Sequence, residues 1–370
     1  MKRKKKVGIL TFHRAENYGA ILQSFGLYSK LKNIDMEDDI EIIDYRSKVI
    51  EKPYKIIYLG NEKNKKLYNF LKSIALLKKN ILRKLSFCRF RKKYIKMSEP
   101  IYDKLKINNY FDKYNYIITG SDQVWNIDIT KNDYNVYLLK NNKEINKVSY
   151  AASIGSDEKN NKNIKIVADS IDKYKKISVR EETAKNSLKL YTNKDIAVCL
   201  DPVLLHNSNF WNTIRKKSNI KQEYIFVYTT STDYNMIKYA DEIAQKESLL
   251  IVHLDKINRY KSKSKSMYHC GPELFVDLIA NSKYILTNSF HGLAFSIIYQ
   301  KKFIVFPVKK RNSRIENLIK LCNLENRVYD KYKEINIKEN INYTIAMKHL
   351  EKEIEKSVRF LKDALDLENK

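Results

Sequence analysis

The residues best suited to chemistry lie in one stretch, Tyr284-Ile-Leu-Thr-Asn-Ser-Phe-His-Gly-Leu-Ala-Phe-Ser-Ile-Ile-Tyr299. Its histidine, His291, is of the residue type whose ordinary pKa lies nearest neutrality, a type that can hold an anion or move a proton. Asn288 and Ser289 add small hydrogen-bonding groups just before it, and Phe290 stands between. Ile285 and Leu286 read as a short buried strand. Leu293, Ile297 and Ile298 follow Gly292 at helical spacing. A strand, a polar turn and a helix place the turn at the carboxyl edge of a parallel sheet, where ligands lie and helix N-termini offer N–H groups to anions. The competing reading is structural: Asn288 or Ser289 caps the helix and His291 is an ordinary first-turn residue.

Four other strand ends carry residues of the same kind. Val7-Gly-Ile-Leu-Thr-Phe12 reads as a strand, and the turn behind it holds Asn17, a hydrogen-bonding group, and Gly19, which lets a backbone approach closely. This turn is not G-x-G-x-x-G, so no dinucleotide is inferred from it. Tyr114-Asn-Tyr-Ile-Ile-Thr-Gly-Ser-Asp-Gln-Val-Trp125 ends in Ser121, Asp122 and Gln123, and the strand from Lys147 closes on Ser153 and Gly155. Ile177-Ser-Val-Arg180 carries an arginine whose planar fork suits a carboxylate or phosphate. An internal ion pair with Glu181 or Glu182 is its structural competitor.

These ends need elements to position them, and strands alternating with helices supply two Rossmann-like α/β domains, doubly wound, with a cleft between them. A chain of 370 residues exceeds what one core usually holds. The spacing predicts an N-terminal domain over 1–215, a second over 216–333, and a C-terminal helical segment, 334–370, that packs back on the first. Tyr224-Ile-Phe-Val-Tyr228, Leu249–Leu254 and Phe303-Ile-Val-Phe-Pro307 are the other strands of the second domain, with 261–266 read as an alternating Lys/Ser loop. A basic helical insertion occupies about 61–96. Within it, 65–93 places Leu67, Phe70, Leu71, Ile74, Leu77, Ile81 and Leu85 at helical spacing among lysines and arginines. Such a helix either packs by its apolar side, with a solvated basic face, or makes peripheral contact with an anionic membrane.

Lys and Arg total 71 against 43 Asp and Glu, a net charge of +28. The excess accompanies a general richness in Lys, Ile, Asn and Tyr, so it implies no nucleic-acid partner. No run of about twenty apolar residues exists, and the basic start lacks a long apolar core behind it, so the expected location is cytoplasmic, at the inner face of the membrane if the basic helix touches it. Cys88, Cys199, Cys270 and Cys322 have no metal-ligand or disulfide spacing and no His/Cys/Asp cluster has ligand spacing, so no metal is expected; no cofactor is expected either.

Taken together the motifs resemble the polysaccharide pyruvyl transferase family. The resemblance rests on Gly8-Ile-Leu-Thr-Phe-His13 with Asn17-Tyr-Gly-Ala-Ile-Leu-Gln23, Ile118-Thr-Gly-Ser-Asp-Gln-Val-Trp-Asn126, Ser178-Val-Arg-Glu-Glu182, Leu200-Asp-Pro202 and Thr287-Asn-Ser-Phe-His-Gly292, in order over roughly residues 7–310. It implies a GT-B-like fold and transfer of a pyruvyl group from phosphoenolpyruvate to a sugar of a cell-surface glycan or a lipid-linked precursor. It also associates Arg180 and the segment Ser289-Phe290-His291 with the donor. Ser289 stands where the family's Arg-x-His form has an arginine, so Arg311, Arg314 or a lysine substitutes there, or the donor differs. Ketal formation needs a proton donor, for which His291 is the candidate, and Asp122 is second, as a base or a group orienting the acceptor. A nucleotide-sugar glycosyltransferase of the same architecture and a non-catalytic glycan- or membrane-binding protein are the alternatives.

Overall fold

The computed structural model describes residues 4–35, 38–57, 66–140, 145–155, 162–308, 313–332 and 335–367. The chain divides into two compact units. One comprises residues 1–58, 91–205 and 351–370, the other residues 59–90 and 206–350. The sequence reading ends the first domain at residue 215 and attaches the whole basic insertion to it. By contacts, residues 59–90 group with the second unit.

The first unit is built on a six-stranded parallel sheet of β1 (Lys6–Leu10), β2 (Asp39–Ile42), β3 (Tyr116–Asp122), β4 (Asn146–Ala152), β5 (Lys176–Val179) and β6 (Ala197–Val198). Their order is β2-β1-β3-β4-β5-β6. The strands are short and almost wholly buried, because helices cover both faces of a parallel sheet and every side chain must be apolar or internally paired. The second unit has five parallel strands, β7 (Tyr224–Tyr228), β8 (Leu250–His253), β9 (Ser264–Ser266), β10 (Tyr284–Thr287) and β11 (Lys302–Val305), in the order β11-β10-β7-β8-β9. In each sheet the strand order reverses once, between β1 and β3 in the first and between β7 and β10 in the second. A ligand crevice opens beyond the carboxyl ends of strands at such a reversal.

β9 is a correction to the sequence reading. Ser264-Lys265-Ser266 lies in the stretch taken as an alternating Lys/Ser loop, yet it pairs in parallel with β8, Ile251 opposite Ser264 and His253 opposite Ser266. A sheet edge tolerates such a short, polar, lysine-bearing strand, which has no apolar signature to reveal it. The basic segment is also not one helix. It forms Lys66–Ala75 and Leu77–Tyr94, and Lys65 lies outside the described residues.

The last helix, Tyr343–Ala364, begins in the second unit and ends in the first. There Leu361, Ala364 and Leu365 are buried, the Leu200 N–H donates to Ser357 Oγ at 3.0 Å, and Asp366 pairs with Lys175 and Tyr116. The end of this helix is thus part of the first unit's core. Leu361→Ala should cost about 2–5 kcal/mol, seen as a lower midpoint for the first unit's unfolding in denaturant, whereas exposed Glu355→Ala should leave it unchanged.

Candidate active site at the strand-order reversals

In the first unit the carboxyl ends of β1, β3, β4 and β5 are joined by buried hydrogen bonds. Thr11 Oγ1, just past β1, donates to the Ser121 carbonyl on β3 at 2.9 Å, and Gln23 Nε2 donates to Thr11 Oγ1 at 2.9 Å. Ser121 Oγ donates to the Ala151 carbonyl at 3.0 Å and accepts from Arg180 Nη2 at 2.5 Å. The same Nη2 lies 2.9 Å from Asp201 Oδ2, both side chains being almost fully buried. Ser153 Oγ donates to Glu181 Oε1 at 2.7 Å. Arg180 therefore makes an internal ion pair with Asp201, a partner the sequence reading did not name. Asp201 is anchored in turn by the Val203 N–H at 3.0 Å. The Ser121 hydroxyl is held at a fixed point on the edge by these bonds.

Asp122 takes a left-handed backbone, φ 79°, as β3 turns away. Its Oδ1 accepts from the Gln123 N–H at 2.8 Å and its carbonyl accepts from the Ser153 N–H at 2.9 Å. Gly155, φ 71°, is where a glycine is required: a Cβ there would stand 2.4 Å from Asn126 Nδ2 and 3.0 Å from Gln123 Nε2. Asn17 caps the helix Tyr18–Ile34, accepting from the Ala20 N–H at 3.2 Å, and Gly19 sits buried in that helix's first turn. The structure thus brings Ser121, Asp122, Gln123, Ser153 and Arg180 to one linked edge, while Asn17 has a capping role.

Three residues of this edge were not singled out from sequence. His13 is buried with Nε2 2.9 Å from Asp44 Oδ1 and Nδ1 3.1 Å from the Thr11 carbonyl. Arg14 grips the same carboxylate, Nε to Oδ1 at 2.7 Å and Nη2 to Oδ2. Burial pulls the His13 pKa below its ordinary value, with Asp44 pulling the other way. Burial works to raise the Asp44 carboxyl, but hydrogen bonds from His13 and Arg14 outweigh it and hold the group well below the usual carboxylate range. A neutral ring that donates from Nε2 to Asp44 leaves Nδ1 facing a carbonyl. Protonation would satisfy both nitrogens and oppose burial. The available signal was positional: His13 and Arg14 directly follow the strand read over Val7–Phe12.

In the second unit the reversal lies between β7 and β10, and the stretch around His291 occupies it. Thr287 Oγ1 donates to the Tyr228 carbonyl at 2.7 Å and accepts from the Ser289 N–H at 3.0 Å. Asn288 is a clamp. Its Oδ1 accepts from the Thr230 N–H at 2.7 Å and its Nδ2 donates to the Ser231 carbonyl at 2.9 Å, tying the β10 end to the hydroxyl-rich end of β7. Ser289, and not Asn288, is the N-cap of the helix Phe290–Ile298, at 3.5 Å from the Gly292 N–H. Its side chain also meets the Tyr228 hydroxyl, whose pKa burial pushes up to about 12. His291, buried in the first turn, packs edge-on against Phe290 with centroids 5.2 Å apart. The N–H groups of a helix's first turn point out of its N-terminus, and Ser289 takes the one at Gly292. Arg311 and Asn312 lie outside the described residues, and Arg314 falls in the first turn of the helix Ser313–Leu321.

A further histidine, His253 at the end of β8, is fully buried, with neither ring nitrogen hydrogen-bonded among the described residues. Burial, with Lys79 and Arg259 nearby, draws its pKa from 6.5 down to about 4. The folded state holds it neutral while the unfolded chain takes up the proton, so its contribution is complete above pH 6.5 and is lost as pH falls towards 4. Thermal melts should therefore drop across that window, and His253→Phe should flatten the drop. Two substitutions test the edges themselves. A Cβ on Gly292 would stand 2.2 Å from Thr287 Oγ1, so Gly292→Ala should cost about 1–3 kcal/mol by forcing Thr287 off Tyr228. Asp201→Ala leaves Arg180 without its carboxylate and should cost about 3–5 kcal/mol in denaturant unfolding.

The two units together are similar to solved UDP-sugar epimerases. The UDP-GlcNAc 2-epimerase of Methanocaldococcus jannaschii is 13% identical, with 97% of this chain and 99% of that chain covered and a TM-score of 0.51. A second UDP-N-acetylglucosamine 2-epimerase is 13% identical over 99% of this chain and 96% of that chain, TM-score 0.54. The enzyme of Rickettsia bellii is 10% identical over 98% of each chain, TM-score 0.51. At such identities the likeness is one of fold, and the fold is GT-B-like. No curated protein matches the chain. The family model for polysaccharide pyruvyl transferase matches residues 17–310, from the turn after β1 to beyond β11. The second unit's reversal-point edge lies inside that match, as do Ser121, Arg180 and Asp201 of the first unit's edge, and the chain belongs to the polysaccharide pyruvyl transferase family, a family of transferases.

Proposed function

We propose that the protein transfers a pyruvyl group from phosphoenolpyruvate to two hydroxyls of a sugar in a cell-surface polysaccharide or its lipid-linked precursor, forming a ketal. The observation that carries this reading is the position of His291. It is a buried imidazole in the first turn of Phe290–Ile298, beside the strand-order reversal, in a chain of this family. Phosphoenolpyruvate is a dianion or trianion, and helix N-terminal N–H groups with their dipole favour such a ligand.

The chemistry assigns each group a task. A proton from His291 goes to the enol methylene carbon, which becomes the methyl group and leaves an oxygen-stabilised cation at the neighbouring carbon. One sugar hydroxyl attacks that carbon and gives up its proton. Phosphate then leaves, and the second hydroxyl closes the ketal with loss of its own proton. One hydroxyl proton restores the imidazole and the other departs with phosphate. Asp122 is the base or acceptor-orienting group. The guanidinium of Arg180 already holds Asp201 and Ser121, so its part is to fix the Ser121 hydroxyl. Ser289, in place of an arginine, leaves the donor's charge to helix N–H groups and other cations.

Phosphoenolpyruvate should raise the melting temperature of the purified chain, and nucleoside diphosphates should not. With a competent sugar acceptor, His291→Ala should lower phosphate release by about a hundredfold or more while leaving the melting temperature of the free protein within a few degrees. Stabilisation by nucleoside diphosphates alone would point instead to a nucleotide-sugar glycosyltransferase. An unchanged rate in His291→Ala would remove the histidine from the mechanism.

A further inference from the structure

The pair of basic helices, Lys66–Ala75 and Leu77–Tyr94, has a surface that catalysis does not use. In the second helix one side is anchored within the second unit. Arg83 Nη1 donates to the Tyr268 carbonyl at 2.9 Å, and its guanidinium lies over the Tyr268 and Phe87 rings at 5.0 and 4.9 Å. Asn80 Oδ1 accepts from the Tyr268 hydroxyl at 3.2 Å, and Phe87 and Phe90 are fully buried. The opposite side carries Leu77, Ile81 and Leu85, one helical stripe at steps of four, with Leu82 beside it. Phe70, Leu71 and Ile74 are similarly displayed on the preceding helix. All seven are 37–57% exposed. Exposed Lys78, Lys84, Arg89, Lys92 and Lys93 flank the stripe. From residue 63 to residue 98 the chain has thirteen Lys and Arg and no Asp or Glu.

We propose that this face docks on the surface of an anionic lipid bilayer, the apolar stripe entering the headgroup boundary and the flanking cations meeting lipid phosphates. Leucines and isoleucines on one side with cations along the margins match a boundary that is apolar below and anionic above. A second copy of the chain is disfavoured as the occupant, because it would bring an equally basic helix against this one. Nucleic acid offers the anions but nothing to receive six aliphatic side chains and a phenylalanine. No described helix is long and apolar enough to cross a membrane, so the attachment is peripheral. The inference stands apart from the donor chemistry and survives or fails independently of it.

The test is sedimentation of the full chain with vesicles of phosphatidylglycerol and phosphatidylcholine in equal parts, against phosphatidylcholine alone. The chain should bind the anionic vesicles, with binding weakened by added salt. Ile81→Glu/Leu85→Glu and, separately, Lys78→Glu/Lys84→Glu should each reduce the partition coefficient about tenfold or more, since each cation near the surface is worth about fivefold. All four positions are exposed, so the melting temperature should be unchanged. Absence of binding to either vesicle, or equal binding by both variants and the unmodified chain, would overturn the proposal. So would a dimer in sedimentation velocity that Ile81→Glu/Leu85→Glu dissolves, which would assign the face to self-association.

Discussion

Two buried threonines occupy equivalent places in the two units, and the layout of each unit's candidate edge depends on them. Each donates a hydroxyl hydrogen bond to a main-chain carbonyl across the point where its sheet's strand order reverses: Thr11 to Ser121 at 2.9 Å in the first, Thr287 to Tyr228 at 2.7 Å in the second. At a reversal the helices following the two central strands leave on opposite faces, and nothing in the ladder holds the strand ends beyond their last shared bonds. A side-chain bond there keeps the two edges in register while the backbone turns. In the first unit this fixes the starting point of the Ser121–Arg180–Asp201 chain. In the second it fixes the turn from which His291 emerges. Gly292 follows from the same constraint, because a side chain on it would fall on Thr287.

The electrostatics of the two edges differ in kind. The first collects several ionised groups and neutralises them internally, Arg180 with Asp201 and Arg14 with Asp44, to which His13 adds a hydrogen bond. Charges so buried are costly unless matched, and the matching leaves rigid hydroxyls and backbone groups at the surface of the edge. The second edge is built differently. It relies on Asn288, Ser289 and a helix N-terminus, a geometry that accepts an anion without supplying a full positive charge. Such a turn suits the proposed chemistry, in which phosphate is released after it has been bound.

Much of this was legible in the sequence because parallel strands are apolar runs closed by small polar residues. β7 was read to its exact ends, and the residues ending β3, β4, β5 and β10 were picked out from that pattern alone. What the sequence did not disclose were partnerships between distant segments. Asp201 was seen only as the residue before Pro202, and nothing in its neighbourhood indicates that it meets Arg180 twenty-one positions earlier. Asn288 was read as a ligand group because an asparagine at a strand end can be either a clamp or a ligand, and its bonds to Thr230 and Ser231 are tertiary. β9 escaped because an edge strand of Ser-Lys-Ser has no burial pattern to show. The grouping of residues 59–90 with the second unit depends on Tyr268 and its neighbours, nearly two hundred residues away.

The central claim is that the turn between β10 and the helix Phe290–Ile298 receives the donor. A crystal structure of the chain with phosphoenolpyruvate tests it most directly. The account predicts density for the anion against the first-turn N–H groups, with the His291 ring in hydrogen-bond or proton-transfer reach of the enol carbon. Phosphoenolpyruvate bound elsewhere, or His291 turned into the core with the anion out of its reach, would contradict it.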